Sequence, residues 1–384
     1  MHIEPFHIAV PEADLADLHA RLARTRLAPA IPGQGSSEGI DPALLAKLLA
    51  HWCDGFDWRA VEARLNRLPQ YRARVQDHTI HFVHQRGAGP DPMPLVLTHG
   101  WPGSFLEMEA IIPLLADPGA HGADPRDSFH VVAPSLPGFG FSSQPTHTGT
   151  GPFETAGLWT ELMTGLGYPR FGAQGGDIGA GVSAWLGQRF PEQIIGMHLN
   201  YIPGSFRPPL AEGEQLTDDE QDFLRRAADF LDREGAYARL QGTKPQSLAY
   251  AMQDNPLAQA AWIVERFHDW ADLRGRPVQD VFGMDRLLTN IMIYVMNDAF
   301  TTAAWYYAGA QAEEVRKVPP GRRVEVPTAI ARYPDPRNPM PPRSWVERGY
   351  AVSRWTDMPR GGHFAALEEP ELFVEDLRAW ARVG

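Results

Sequence analysis

The stretch "FGAQGGDIGAGVSAWLG", residues 171–187, decides the fold. It reads as a strand that runs into a sharp glycine turn and leaves as a helix. That arrangement exposes a nucleophile on an elbow in the pattern Gly-x-Ser-x-Gly. Here Gly175-Gly176-Asp177-Ile178-Gly179 puts a carboxylate where that pattern has serine. An ordinary aspartate, with a pKa of about 3.9, is ionised at pH 7 and needs no base before it attacks. Attack on a strained sp³ carbon gives an ester. Attack on an ester or peptide gives an anhydride, a poor route to hydrolysis, so the substitution argues against an ordinary esterase.

Outward from the elbow, short apolar strands alternate with helical patterns. "RVQDHTIHFVHQRG" alternates over 79–84, and "PMPLVLTHGWPGS" holds a buried strand that ends in a Gly/Pro turn. "EMEAIIPLLAD" reads as a helix, "SFHVVAPSLPGFGFSS" as a strand with a Gly/Pro-rich loop, and "FETAGLWTELMTGLGY" as the next helix. This alternation predicts an α/β fold with a mostly parallel sheet covered on both faces. After "IIGMHLNYIPG" it stops, and a helix-rich stretch over 205–315 separates the first strands from "RRVEVPTAIARYP" and "RGYAVSRWTDMPRGGHF". Such an insertion reads as a cap over the C-terminal edge of the sheet, where open α/β sheets bind ligands. Residues 1–75 carry three helical patterns and read as a leader packed on the main body. The expected organisation is leader 1–75, core 76–204, cap 205–315 and core 316–384.

With 43% hydrophobic and 21% charged residues the 384-residue chain has a soluble globular composition. A formal net charge of −12 argues against a nucleic-acid surface. Cys53 is the only cysteine, which excludes an intrachain disulfide, and no Cys/His spacing suggests a structural zinc site. The N-terminus lacks the charge and apolar pattern of a signal peptide, and no run of about 18 apolar residues occurs. A cytoplasmic protein without a membrane anchor is expected, and a homodimer is the base-rate expectation.

Three candidate catalytic groups fall after predicted strands, where loops present chemistry. They are Asp177, then Asp335 in "ARYPDPRNP", then His363 in "PRGGHFAALEEPEL". Nucleophile, acid, histidine is the chain order of the elbow-type triad. Singly, Asp177 could be a helix N-cap, Asp335 a turn residue and His363 a surface group. Together, at these places and in this order, they point to catalysis. "THGWPGS" at 98–104 adds a turn whose Trp101 amide, with that of Ile178, would form an oxyanion hole.

These motifs carry a resemblance. "HGWPGS", "PSLPGFGFS", "GGDIGA", "RGGHFAALEEPEL", and within the insertion "YARLQGTKP" and "LTNIMIYVMNDAFTTAAWYY", are similar to those of α/β-hydrolase-fold epoxide hydrolases of the microsomal-type branch. The leader, with "DWRAVEARLNRLPQYR", resembles that branch's N-terminal segment. The resemblance covers nearly the whole chain and implies conversion of an epoxide to a vicinal diol without cofactor or metal, the partners being substrate and water. It implies two tyrosines that hold the epoxide oxygen, matched here by Tyr237 and Tyr307, with Tyr306 one residue away. It also implies Asp177 as nucleophile, His363 as general base and Asp335 as the acid. Relatives tend to carry that acid one position later than "YPDP" places it. An earlier strand exit, "HLNYIPG", offers Asn200 and no carboxylate. Trp101, Phe139, Trp305 and Tyr306 are candidate substrate-binding residues. With Trp262, Phe267, Trp270 and Phe282 they suggest an apolar pocket for a bulky or aromatic epoxide. Two alternatives stay open: a haloalkane or haloacid dehalogenase using the same aspartate, and an inactive ligand-binding hydrolase.

Overall fold

The computed structural model describes residues 1–203, 206–208, 210, 212–313 and 323–382. Among these, one sheet holds β1 (Ile3–Pro5), β2 (Gln70–Val75), β3 (His78–Gln85), β4 (Met93–Thr98), β5 (Phe129–Pro134), β6 (Phe171–Gly175), β7 (Ile194–Leu199), β8 (Val324–Arg332) and β9 (Tyr350–Asp357). The spatial order is β1-β2-β3-β5-β4-β6-β7-β8-β9. The six strands from β5 to β9 run parallel, and β3, β2 and β1 extend the sheet beyond β5, each antiparallel to the strand before it. Leu95, Val96, Leu97, Val131 and Val132 are fully buried, as parallel strands covered on both faces require. The α/β class and the mostly parallel sheet are therefore as the alternation predicted.

The leader holds the expected helices, Glu12–Ala23, Pro42–Asp54 and Trp58–Leu65. Asp41 and Asp57 cap the second and third by accepting from the Ala43 and Ala60 amides. Leu18, Leu22, Leu48, Trp52 and Leu65 join the main core. The leader also supplies β1 and β2, which the pattern did not reveal. β1 is three residues long, and β2 carries Arg72 and Arg74, the charged dressing of a strand near a sheet edge.

Between β7 and β8 lie the helices Asp218–Glu234, Ala236–Thr243, Pro245–Met252, Pro256–Trp270, Val278–Phe282, Met284–Val295 and Ala299–Ala312. Their side chains bind main-chain carbonyls of the strand-exit loops. Asn290 Nδ2 donates to Pro102 O at 2.7 Å and the Tyr294 hydroxyl to Gly103 O at 2.7 Å. The Thr302 hydroxyl donates to Gly138 O. The helical stretch is thereby seated on the C-terminal ends of β4 and β5. Its expected boundaries at 204/205 and 315/316 lie outside the described residues. Among the described residues no helix is long and apolar enough to cross a membrane.

At the far side of the sheet a buried carboxylate joins three elements. Asp376, on helix Pro370–Ala381, accepts from Arg354 Nη2 at 2.8 Å and Thr356 Oγ1 at 2.7 Å on β9, and lies 3.0 Å from His198 Nε2 on β7. Burial raises its pKa, but the partners His198, Arg354 and Thr356 outweigh that and hold it well below the usual carboxylate range. A depressed carboxylate stabilises the fold above its unfolded pKa and loses that contribution as pH falls. Asp376→Ala should therefore cost about 3–5 kcal/mol at pH 7, with the deficit shrinking below about pH 4. Urea titrations at pH 7 and pH 3 measure this; a deficit independent of pH would show that the charge is not what matters.

Candidate active site

β6 ends at Gly175 and the helix Ile178–Arg189 begins three residues later. Asp177, at the joint, has φ 47° and ψ −123°, a conformation sparsely populated for any residue with a Cβ. Holding it there costs on the order of 1–3 kcal/mol, which the surroundings must supply. The close seat of the helix imposes it: a Cβ on Gly179 would lie 2.0 Å from Thr98 O at the end of β4. Across the elbow, a Cβ on Gly100 would lie 2.4 Å from the Asp177 side chain. Asp177 occupies the N-cap position yet makes no side-chain capping bond, so capping does not account for it. Instead its Oδ1 accepts from the Trp101 N–H at 2.9 Å. The Ile178 N–H, in the first turn of the helix, belongs to the amides that have no intrahelical acceptor.

His363 follows β9. Its Nε2 stands 3.5 Å from Asp177 Oδ2, and its Nδ1 stands 3.7 Å from Asp335 Oδ2. The second distance is longer than a hydrogen bond, a looseness common in catalytic pairs without substrate. The other Asp335 oxygen accepts from the Arg337 and Asn338 amides at 3.0 and 2.9 Å, which fixes the carboxylate in its turn. Burial pulls the His363 pKa down, but Asp177 and Asp335 together override it and raise it to about 10. The two acidic neighbours thus favour the protonated imidazole against the pull of burial. Asn200 accepts from Gln174 Nε2 at 2.8 Å beside Gly176.

Tyr237 and Tyr307 come to the same place from separate helices. Tyr237 stacks on Trp101 at 5.0 Å between centroids, and Tyr307 meets Trp101 edge-on at 5.7 Å. Burial, with the charge of Asp177, pushes the Tyr237 pKa well up; burial and the neighbouring Tyr237 and Asp177 do the same to Tyr307. Both therefore keep their protons at neutral pH.

Three of the expected substrate contacts have protein partners of their own. Tyr306 is fully buried with its hydroxyl 2.9 Å from Thr155 Oγ1. Trp305 donates to Gln246 Oε1 at 3.0 Å and lines a different cavity with Tyr250 and Thr301. Residues 305, 306 and 307 are successive on one helix, about 100° apart, so they cannot share a face. Phe139 is sealed between His99, Tyr294 and Tyr306. Of the other aromatics, Trp270 lies 4.9 Å from His363, centroid to centroid, and Phe267 and Phe282 pack on Phe364. Trp262 donates to Gln241 Oε1.

Comparison with known proteins agrees over the whole length. Residues 3–108 match the family described as the epoxide hydrolase N terminus, and residues 93–306 match the alpha/beta hydrolase fold. A Stigmatella aurantiaca protein named as a candidate epoxide hydrolase is 41% identical, covering 98% of this chain and 84% of its own. Epoxide hydrolase 1 of Oryctolagus cuniculus is 34% identical over 98% of this chain and 88% of its own. The solved epoxide hydrolase of Aspergillus niger has a TM-score of 0.84 at 30% identity, covering 100% of this chain and 96% of its own.

Two carboxyl groups at this site had no role in the sequence reading. Glu368 accepts from the Gly362 and Phe364 amides, each at 2.9 Å, and from the Asp272 amide at 2.7 Å, so it holds the His363 loop against the inserted helices. The acid-rich run after His363, "ALEEPEL", was the available signal. Glu107 lies four residues after the "HGWPG" motif. It lines a cavity of about 20 Å³ together with Gly100, Asp177, Asn200 and His363, room enough for one water. Burial, then the charge of Asp177, raises its pKa to about 8 against the opposing pull of His363. A raised carboxyl contributes stability below its unfolded pKa, near 4.5, and loses it as pH rises through about 8. Glu107→Gln should therefore flatten the fall in stability between those values, removing part of a slope of up to ~1.4 kcal/mol per pH unit. Melting temperatures of both proteins from pH 5 to 8 test this, and parallel curves would contradict it.

Proposed function

The chain belongs to the epoxide hydrolases of the α/β-hydrolase fold, and from that premise we propose that Asp177 opens the substrate epoxide by direct attack, giving a 2-hydroxyalkyl ester. The observation that carries this is the strained Asp177 itself, its carboxylate between the Trp101 amide at 2.9 Å and His363 at 3.5 Å. In the first half-reaction a carboxylate oxygen bonds to one epoxide carbon and the C–O bond breaks. The freed oxygen takes a proton from Tyr237 or Tyr307, because the nascent alkoxide is the stronger base even beside phenols whose pKa is raised.

Esterification also removes one of the two charges that hold His363 as an imidazolium. Burial then pulls its pKa down, and the proton it releases restores the one lost by the tyrosine. In the second half-reaction neutral His363, oriented by Asp335, takes a proton from water as the hydroxide adds to the ester carbonyl. The Trp101 and Ile178 amides receive the oxyanion, a contribution of about 3–4 kcal/mol per donor. Collapse expels the diol alkoxide, which takes the proton of the re-formed carboxylic acid and leaves as a vicinal diol. Trp101, Tyr237, Tyr307 and Trp270 form an aromatic wall beside Asp177, which supports a bulky or aromatic epoxide as substrate.

With styrene oxide as probe, Asp177→Ala should have no measurable turnover. His363→Gln should accumulate a covalent adduct of substrate mass, visible by intact-protein mass spectrometry; full turnover in either would overturn the scheme. Tyr237→Phe and Tyr307→Phe should each slow ester formation by about 10²-fold and its hydrolysis much less. Single-turnover rates separate the two steps, and an equal loss in both would remove the tyrosines from the donor role.

A further inference from the structure

A second cluster of chemistry-bearing side chains lies apart from Asp177. Asp77 and His78 are at the turn from β2 into β3, His147 is in the loop after β5, and Glu154 is in the first turn of helix Pro152–Gly165. Their polar atoms converge: His78 Nε2 is 3.1 Å from Glu154 Oε1 and 3.5 Å from Asp77 Oδ1, and His147 Nε2 is 3.3 Å from the same Glu154 oxygen. The ligand atoms of Asp77, His78 and His147 all lie within 4.8 Å of one another.

We propose that Asp77, His78, His147 and Glu154 bind a first-row divalent cation, zinc foremost. Nitrogen and oxygen ligands about 2.0–2.1 Å from tetrahedral zinc stand roughly 3.3–3.5 Å from one another, and the three contacts above bracket that spacing. Two imidazoles and two carboxylates are the donor mixture that suits zinc. Two carboxylates among the four ligands offer negative charge for a dication. The ring of His78 is fully buried, so one ligand is held rigid, while the exposed His147 leaves an entry path. The Thr146 hydroxyl donates to Asp77 Oδ2 and so turns Oδ1 toward His78, the kind of outer contact that orients a ligand.

The role of the cation is structural. It ties the loop through Thr150 to the sheet edge, and that loop packs hard on the helix bearing Tyr307: a Cβ on Gly309 would lie 1.9 Å from Thr150 O. The experiment uses the untagged full chain, stripped with a chelator and titrated with Co²⁺ and then Zn²⁺. One equivalent of Co²⁺ should give the intense visible bands of a tetrahedral site, and one equivalent of Zn²⁺ should bleach them and raise the melting temperature by a few degrees. His147→Ala and Glu154→Gln should abolish the bands and the thermal shift while styrene oxide turnover stays within twofold of wild type. Weak octahedral bands, or binding that survives in both variants, would overturn the site.

Discussion

The close seat of helix Ile178–Arg189 on β4, with Gly179 against the Thr98 carbonyl, is the contact on which the site depends. It leaves no room for a relaxed turn, so Asp177 is driven to positive φ and its carboxylate stands clear of the helix it begins. The same crowding brings the Trp101 amide to the carboxylate across Gly100. Strain of this kind persists only where packing over-determines it, and the fully buried strands β4 and β6 provide that packing.

Charge is arranged around this strained residue with little redundancy. Asp177 and Asp335 raise the pKa of His363, and the nearby Glu107 is driven toward its neutral form by burial and by Asp177. The free site is thus poised, and in the proposed reaction the loss of a single charge at Asp177 changes the state of His363. In that proposed reaction the base is masked until the ester exists, which orders the two half-reactions.

Positioning is shared between the two halves of the molecule. Asn290, Tyr294 and Thr302 of the inserted helices bond to carbonyls of the strand-exit loops, and Glu368 binds amides of both the His363 loop and Asp272. The helix bearing Tyr307 is therefore registered against the strand-exit loops through Thr302, beside the helix of Asn290 and Tyr294. The carboxylate of Asp376 does the same at the far strands, holding β9 in the place from which the His363 loop departs.

The sequence alone determined the class of sheet, the elbow and the chain order of Asp177, Asp335 and His363, because these rest on local signals: apolar runs, glycine turns and motif spacing. The tyrosines were legible only through resemblance, and the partners that Trp305, Tyr306 and Phe139 take were not legible, because the surroundings of a side chain are set by what packs on it. Tertiary structure alone decided what burial and convergence create. β2 became a strand by pairing, Glu107 acquired its shifted carboxyl from a cavity no linear pattern encodes, and Asp77, His78, His147 and Glu154 met from three separated segments. Hydrogen bonds within a turn or helix join residues near in sequence and can be read there. Desolvation and long-range charge depend on which surfaces meet, and that exists only once the chain has folded.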